Sequence, residues 1–545
     1  MLARIHDMHP LLQIIELLHL IFGHLDKEDQ AVCAQVCKNW SEIALDILWH
    51  TVDNLPAFAN LLAPVKRDVD ENNEKAPVSY SFEPPGPTAK SWARFEAKYC
   101  SRVRVLGLDV DAEQKDNKDE EDEVHEDVSP LLQTIQRFRF ASPLLPKLHT
   151  FGWNSQISKF VESIMFMHEG VKVCCIEHEN DDLDLRDIEH LFEVIYTRMP
   201  ALTSIKIGLF PSQSIVVPLL SLLEHLTHLT DITMPAFTDV SKLLSLLGNS
   251  KRLRRLKLCY YFSKDDLAVT LTGNPYEGRS FAALESLWMY CIRYQSLLPF
   301  GRCRSLANLH SLSLFSINLE KPEGVRDLFH TIPTFAPNLV DLKVMYSCRS
   351  DIEDDLEDDP LLDDIVSFTD FRAVLACRKI TRFVLNHPYP VNVTDSDLEE
   401  IASAWSHLRF IEISVDPAVP SLTSRTRKPT IRGVYMLARC CPNLQVARLL
   451  LDTTTTVLTA EPDSKLATLC CATYLRNLHV GNSLMQREQV YPFAMALAQV
   501  CSPWFELLDW VGDNPRTYAK EREMKARILA LERENEVLKA NRESS

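Results

Sequence analysis

The sequence LESLWMY at residues 284–290 carries the spacing that decides the fold, with apolar residues at its first, fourth and sixth positions. The same spacing appears in LRRLKLC at 253–259 and in LHSLSLF at 309–315. Successive side chains of a β-strand point to opposite faces, so the fourth and sixth positions share one face and the third, fifth and seventh share the other. Each copy therefore predicts a short strand with one buried face.

Copies of this spacing recur along most of the chain. Their first residues are Val103, Leu148, Val171, Leu202, Leu229, Leu253, Leu284, Leu309, Leu339, Ile380, Leu408, Leu444, Leu475 and Phe505. Repetition at intervals of a few tens of residues is typical of repeat proteins, in which each unit packs only on its neighbours.

Between the strands the apolar spacing becomes that of a helix. Apolar residues fall at i, i+3, i+4 and i+7 in 188–195, 240–247, 325–332 and 398–405. Ser396 and Glu399 together have the spacing of a capping box, which marks a helix start. A strand followed by a helix, stacked many times, predicts an α/β solenoid with a horseshoe shape.

Charge is concentrated in two segments of the chain. The formal net charge is −17, from 58 basic and 75 acidic residues, and most of the excess lies in 109–127 and 351–364. Both segments fall in the longest intervals between repeats, so we expect solvated loops inserted in the repeat array, with regulatory loops as the alternative. Because phosphate binding needs a positive surface, we expect no nucleic-acid partner.

The cysteines and the hydropathy pattern predict a cytoplasmic or nuclear protein. The 15 cysteines include no C-x-x-C pair, which predicts free thiols in a reducing compartment. We see no signal peptide and no apolar stretch long enough to span a membrane, so no membrane partner is expected.

The sequence contains no established catalytic or metal-binding motif. GNPYEGRS at 273–280 is spaced like a phosphate-binding loop, but Arg279 stands in place of the lysine and a strand follows where a helix should. We therefore predict no enzyme activity, no cofactor and no metal, and keep a nucleotide-binding enzyme as the least favoured alternative.

The N-terminal residues form a separate helical pattern. The run IIELLHLIFGHLDKEDQAVCAQVCKNWSEIALDILWHTV at 14–52 contains apolar faces interrupted by the polar turn at 26–29. A unit of this size buries little surface by itself and should leave apolar side chains for a partner. The alternative is a helical cap that seals the first repeat.

This run resembles an F-box, the module that docks on the Skp-type adaptor of a cullin-RING ubiquitin ligase. The departures from the F-box pattern are Ile15 in place of proline and Gln30 in place of leucine, both near the family's adaptor contact. The resemblance implies an adaptor-binding set of Leu17, Leu18, Ile21, Phe22, Leu25, Val36, Trp40 and Trp49.

The repeats resemble leucine-rich repeats, and the combination with an F-box resembles fungal F-box proteins. We predict an F-box at 9–52, a proline-containing linker at 53–91, a repeat solenoid at 92–512 with the two acidic insertions, and a charged C-terminal helix at 513–545. Met524, Ile528, Leu531, Asn535 and Leu538 in that helix follow a heptad, which predicts either a homodimer through a short coiled coil or a solvated tail.

Outward-facing positions of the repeat strands supply the expected client-binding residues. Arginine, lysine and aromatic side chains are common interface anchors, so we predict that this face takes an acidic or phosphorylated segment of a client protein. Ordinary surface charge, or occupation of the face by the acidic segment 351–364, are the alternatives. The predicted client-binding set is Lys206, Arg255, Lys257, Trp288, Tyr290, Phe315, Lys343 and Arg382.

Together these patterns predict a non-catalytic substrate-recognition subunit of a Skp-cullin-F-box ubiquitin ligase. The F-box would hold the adaptor and the solenoid would hold the client, so that ubiquitin transfer gains from proximity. The alternative from another class is a protein-interaction scaffold without a role in ubiquitin ligation, which the departures at Ile15 and Gln30 favour.

Overall fold

The structure is a computed structural model with side chains. It describes residues 14–68, 78–107, 126–138, 143–154, 157–178, 184–259, 281–290, 292–302, 306–346, 364–453, 475–481, 483, 493 and 506–507. The chain divides into two compact units: unit 1 comprises 1–235 and 261–263, and unit 2 comprises 236–260 and 264–545.

Four features predicted from the sequence lie outside the described residues in whole or in large part. They are the loop 273–280, the acidic segments 109–127 and 351–364 except for three terminal residues, and the charged helix 513–545. The predicted coiled coil and the two insertions therefore stay predictions.

Unit 1 contains eight helices and nine strands among its described residues. The helices are α1 Ile15–Gly23, α2 Lys27–Cys33, α3 Lys38–Leu48, α4 Leu55–Ala59, α5 Ala89–Phe95, α6 Ser129–Arg137, α7 Leu185–Arg198 and α8 Val216–His225. The strands are β1 Thr51–Val52, β2 Val65–Asp68, β3 Val78–Phe82, β4 Val105–Leu106, β5 Glu126–Asp127, β6 Thr150–Asn154, β7 Val173–Glu177, β8 Ser204–Gly208 and β9 Asp231–Pro235.

Unit 2 continues the alternation of parallel strands and helices. Its described helices are α9 Ser241–Leu247, α10 Pro322–Phe335, α11 Phe368–Phe371, α12 Asp395–Ala404 and α13 Ile431–Cys440. Its described strands are β10 Arg255–Cys259, β11 Ser286–Tyr290, β12 Ser311–Ser316, β13 Asp341–Tyr346, β14 Arg382–Leu385, β15 Phe410–Ile413, β16 Val446–Leu449, β17 Asn477–His479 and β18 Glu506–Leu507.

Except for β2, which pairs antiparallel with β3, the strands of each unit pair in parallel. In unit 1 the order is β1, β4, β6, β7, β8, β9, and in unit 2 the strands follow one another from β10 to β18. Every predicted copy of the repeat spacing coincides with one of these strands. The predicted fold class, N-terminal helices followed by a strand–helix solenoid-like arrangement with a parallel sheet, is confirmed.

The helices predicted between the strands form where the apolar spacing places them, with one shift of boundary. The capping box predicted at Ser396 and Glu399 lies two residues earlier, where Thr394 and Asp397 exchange the two bonds and α12 begins at Asp395. Several other connections are 3₁₀ segments, for example Ile157–Phe166 and Tyr294–Arg302. A 3₁₀ segment has about three residues per turn, so its apolar spacing differs from the i, i+3, i+4, i+7 pattern of an α-helix.

The segment predicted as a linker, 53–91, contains regular structure in its described residues. It holds α4, β2, β3 and the start of α5, and β3 pairs with β2 on one side and with β5 on the other. Its prolines accordingly fall at places that tolerate them. Pro56 lies in the first turn of α4, and Pro84–Pro85 follows the end of β3.

The core lies between the sheet and the helices in both units. The inward positions of the strands are buried wherever the structure describes their side chains, as are the apolar faces of the helices, and Trp405 is the largest fully buried side chain of the described residues. Among the described residues, no helix is long and apolar enough to cross a membrane.

Candidate docking surfaces

The three N-terminal helices have a small core of their own. Leu18 and Phe22 of α1, each 1% exposed, pack against Ile43 and Ala44 of α3. The half-buried indole of Trp40 stands edge-on to Phe22, with 5.2 Å between the ring centroids. This core orders the helices but leaves much of their apolar surface outside.

Large apolar side chains are exposed around this core. Ten large hydrophobic residues are exposed among the described residues, and six of them fall within 14–36. Because exposed apolar groups are rarely concentrated in so short a segment, this segment is a candidate docking surface. We call it the apolar patch, and its members are Ile14, Ile15, Leu20, Ile21, Val32 and Val36.

The predicted adaptor-binding residues divide between the surface and the interior. Ile21 and Val36 belong to the apolar patch, and Leu17 and Leu25 are half-buried. Leu18 and Phe22, which were predicted as contacts, are interior residues that support the helices from within. The predicted set did not include Leu20 and Val32, which the structure shows to be exposed.

Gln30, one of the two departures from the F-box pattern, has a structural role. Its side chain is buried, and its amide nitrogen donates to the carbonyl oxygens of Phe22 at 3.0 Å and Leu25 at 2.9 Å. Carbonyl groups at a helix end lack partners within the helix, and a leucine could not supply one. Gln30 is thus an internal cap for α1. Ile15, the other departure, is the exposed first residue of α1.

Trp49 connects the helices to the first repeat instead of lying in the apolar patch. Its ring centroid lies 5.5 Å from that of Phe58 and 6.1 Å from that of Tyr99, and Phe58 lies 5.0 Å from Phe95. The next residues, Thr51–Val52, pair with Val105–Leu106 and occupy the edge of the unit 1 sheet. The N-terminal helices are therefore fixed to the repeats as well as being exposed.

Arg102 strengthens the same junction. Its guanidinium forms ion pairs with Glu42 and Asp46 of α3 and also donates to the carbonyl oxygen of Glu42 at 3.0 Å. The hydrogen bond from Arg102 holds the pKa of Glu42 below its usual range. A forked pair of this kind fixes direction as well as distance.

A shallow groove of about 440 Å³ lies beside this junction. Partial desolvation, with the nearby charges of His149 and Arg104, lowers the pKa of His50. Arg102 in the lining of this groove is already held by the carboxylates of Glu42 and Asp46. The lining residues of the groove are His19, Asp46, Ile47, His50, Thr51, Arg102 and Arg104.

The second candidate surface is the outward face of the strands of unit 2, which we call the open face. The register aligns its side chains in rows that cross the strands. One row runs through Arg255, Ser286, Ser311, Asp341, Arg382, Phe410 and Val446. The next runs through Lys257, Trp288, Ser313, Lys343, Val384, Glu412 and Arg448.

Two lysines bracket Trp288 on the open face. The Lys257 Nζ lies 4.3 Å from the centroid of the indole, and the Lys343 Nζ lies 5.6 Å from it, reaching across the small buried Ser313. Phe315 stacks on Trp288 at 4.9 Å. We call Lys257, Trp288 and Lys343 the lysine cluster.

Two arginines bracket Phe410 in the same way. The guanidinium carbon of Arg382 lies 3.7 Å from the ring centroid and that of Arg448 lies 5.6 Å from it. Arg448 also pairs with Glu412 at 3.3 Å. We call Arg382, Phe410 and Arg448 the arginine cluster; sequence reasoning missed Phe410, although it is the third residue of its repeat, an outward position.

Asp341 lies between the two clusters. Its carboxylate is 4.0 Å from Lys343 and 3.9 Å from Arg382, and burial raises its pKa although both cations oppose the rise. Along β10–β16 the face carries five basic side chains and two acidic ones, Asp341 and Glu412. The open face is thus positive in a chain whose formal net charge is −17.

The remaining predicted client residues are placed as follows. Tyr290 stacks on Phe315 at 4.8 Å and extends the lysine cluster, and Arg255 is exposed at the first strand of the face. Lys206 lies in unit 1, where it forms an ion pair with Glu177 at 2.6 Å. Within the described residues no group of three or more histidine, cysteine, aspartate or glutamate side chains could hold a metal ion.

Comparison with known proteins identifies the N-terminal helices. Residues 15–54 match the F-box-like family, and this domain indicates an adaptor-type role in ubiquitin ligation. No curated protein matches the chain. Among solved structures, the chain is similar to the crystal structure of the Rad7 and Elc1 complex from yeast, at 15% identity and a TM-score of 0.30, covering 64% of this chain and 83% of the other. Likeness at this level does not extend to function.

Proposed function

We propose that this chain is the substrate-recognition subunit of a Skp-cullin-F-box ubiquitin ligase of the cytoplasm or nucleus. The apolar patch would dock the Skp-type adaptor, and the strand–helix repeats, which we propose to be leucine-rich repeats, would hold a client protein. The chain itself would carry out no chemistry, because bringing a client near the transfer machinery is sufficient to raise the rate.

The concentration of exposed apolar side chains in an F-box-like domain is the observation that carries this proposal. A folded domain keeps such groups in water only at a free-energy cost, of roughly 25 cal/mol for each Å² of apolar surface, which a partner recovers on binding. The contacts of Trp49, Arg102 and β1 also support the proposal. They fix the N-terminal helices to the first repeat, so an adaptor bound to the helices would be held in a fixed orientation relative to that repeat.

The test replaces apolar patch residues without touching the core. Leu20 is 64% exposed, so Leu20→Glu together with Ile21→Glu should leave the melting temperature unchanged and abolish co-purification of the full-length protein with a purified Skp-type adaptor. Val217→Glu is the matched control, because Val217 is 68% exposed on α8 and lies outside the patch. Equal capture by the double variant and the control would exclude the apolar patch as the docking surface.

Point substitutions are a cleaner test than truncation. Removing residues 1–52 would also remove β1 from the sheet and Trp49 from its aromatic neighbours. A scaffold without a ligase role would fail to capture the adaptor in any form, and no client would then become ubiquitylated in a reconstituted reaction.

A further inference from the structure

We propose that the open face of unit 2 binds one extended acidic segment through two anionic groups about six residues apart, one at the lysine cluster and one at the arginine cluster. The inference rests on the proposed role in client capture and specifies the chemistry of the client. The anions are aspartate or glutamate carboxylates or phosphorylated side chains. All of these carry negative charge on oxygen atoms that accept hydrogen bonds, which is what both clusters recognise.

The two clusters are built alike but present different cations. In each, an aromatic ring on one strand contacts two cationic side chains that come from other strands. These contacts restrict the rotamers of the cationic side chains. Stacking on a ring fixes a guanidinium or ammonium group before a ligand arrives, and this lowers the entropy lost on binding. The side chains of Arg382 and Arg448 remain 40% and 41% exposed, so their outer edges can donate to an anion.

The net positive charge of the open face favours an acidic ligand. Asp341 and Glu412 offset part of the charge of the five basic residues, and the remaining positive charge lies within a strongly acidic chain. The neighbouring acids also disfavour a uniform run of anions, because Asp341 lies between the clusters and would repel a negative charge placed there. A segment with two separate anionic groups fits this pattern better than a continuous acidic stretch.

The aromatic rings of the face are already covered, which argues against nucleic acid. Bases of single-stranded RNA or DNA need an open ring face on which to stack. Lys257 covers Trp288, Arg382 covers Phe410, and Tyr290 and Phe315 stack on each other. The rings therefore act as supports for the cations.

The spacing follows from the register. Trp288 is on β11 and Phe410 is on β15, and the strands between them pair consecutively. Four strand spacings of ~4.8 Å put the rings at the centres of the two clusters ~19 Å apart, which an extended chain at ~3.3 Å per residue covers in about six residues. An acidic segment lying across the strands can thus reach both clusters at once.

The test uses the full-length protein and labelled synthetic peptides in a glycine–serine background, with fluorescence anisotropy as the readout. The peptides carry one phosphoserine, or two separated by three, six or nine positions, and a parallel series carries paired glutamates. We expect the spacing of six to bind at least ~10-fold more tightly than the single-site peptide, because the second contact becomes intramolecular. The glutamate series distinguishes carboxylate from phosphate recognition.

Charge reversal separates the two clusters. We expect two double variants to bind the six-spaced peptide no more tightly than the single-site peptide. They are Lys257→Glu with Lys343→Glu, and Arg382→Glu with Arg448→Glu. Arg378→Glu with Lys379→Glu is the control, since it makes the same change of charge in the exposed turn before β14 and should leave binding unchanged. Circular dichroism melting establishes that each variant is folded.

Two results would overturn the inference. Affinity that rises with charge but not with spacing would show general attraction, and tighter binding of a single-stranded RNA of equal charge would assign the face to nucleic acid. These outcomes are separate from the adaptor test. If the protein captures the adaptor but its affinity for the peptides does not depend on their spacing, this inference alone is wrong. If the affinity depends on spacing but the protein does not capture the adaptor, the proposed function alone is wrong.

Discussion

Residues 14–36 and the described part of unit 2 differ in how many large apolar side chains they expose, six in the first and only Leu319 in the second. The described part of unit 2 encloses its apolar groups because each strand–helix repeat covers the side of the next. The N-terminal helices have a core of only a few residues and cannot enclose theirs. The comparison teaches that enclosure comes from stacking, and that the described N-terminal helices, which lack a stacked neighbour on every side, keep apolar side chains exposed.

The largest expected effect is in the enclosed region. Trp405 is 0% exposed and packs 5.0 Å from Phe383, so Trp405→Ala should lower the free energy of unfolding by ~3–5 kcal/mol. Urea denaturation measures this loss. Trp405→Phe is the control: it keeps most of the volume and removes an indole N–H that has no hydrogen-bond partner in the described structure, so its cost should be much smaller. A loss for Trp405→Ala below ~1 kcal/mol would contradict the enclosed core.

A tryptophan in the open region should cost less. Trp40 is only half-buried, so Trp40→Ala should lower the free energy of unfolding by about 2 kcal/mol, below the ~3–5 kcal/mol expected of a fully buried ring. The same denaturation assay applies. A bound adaptor should raise the cost, because it covers the ring on the outer side, and an equal cost with and without adaptor would place Trp40 outside the interface.

A smaller effect is expected where one repeat caps the next. The Asp395 carboxylate of α12 accepts from the Thr430 N–H at 2.7 Å, the Thr430 hydroxyl at 2.8 Å and the Gly433 N–H at 3.0 Å, all at the start of α13. Asp395→Ala should therefore cost ~1–2 kcal/mol by thermal or urea unfolding. Asp395→Asn keeps one acceptor oxygen and should cost less; the reverse order would contradict this account.

The smallest effect we expect is a pH dependence confined to unit 2. His387 is buried, its Nδ1 accepts from the Tyr389 N–H at 3.1 Å, and its Nε2 donates to the Glu320 carbonyl oxygen at 3.0 Å. Burial lowers the pKa of His387 below 6.5, so the unfolded chain binds the proton more readily. This contribution to stability is complete above about pH 6.5 and is lost as the pH falls towards the lowered pKa.

The measurement compares unfolding of the natural protein and His387→Gln across pH 5 to 7.5. Burial raises the pKa of Glu320, and that group acts in the opposite direction by losing stability as the pH rises above its ordinary value. The difference between the two proteins isolates the histidine. Parallel pH profiles would show that His387 does not contribute.

Much of the fold could be predicted because the repeat spacing is local. Leu256 and Leu258, or Leu312 and Leu314, share a face within one short strand, and the period alone places them in the core. The strands β2 and β5 could not be predicted in this way. Their sequences, VKRD and ED, are mostly charged, and β2 is ordered by pairing with β3 instead of by an apolar face.

The candidate sites were less predictable because they depend on register between distant strands. Lys343 reaches Trp288 only because both lie in the row of Ser313, and Arg382 covers Phe410 because these two residues pair directly. The sequence indicated which residues face outward but could not align the strands. Gln30 shows the same limit on a smaller scale. The sequence showed that a glutamine replaces the usual leucine, but only the structure shows that its side chain donates to a carbonyl oxygen at the end of α1.

The two-residue connection between α3 and β1 limits how this chain can change during evolution. Val52 points into the core and Thr51 to solvent, and Trp49 is anchored two residues before Thr51. Inserting one codon here would exchange the two sides of the strand, whereas inserting two would restore them. An insertion of one residue at this point should therefore disturb the junction more than an insertion of two.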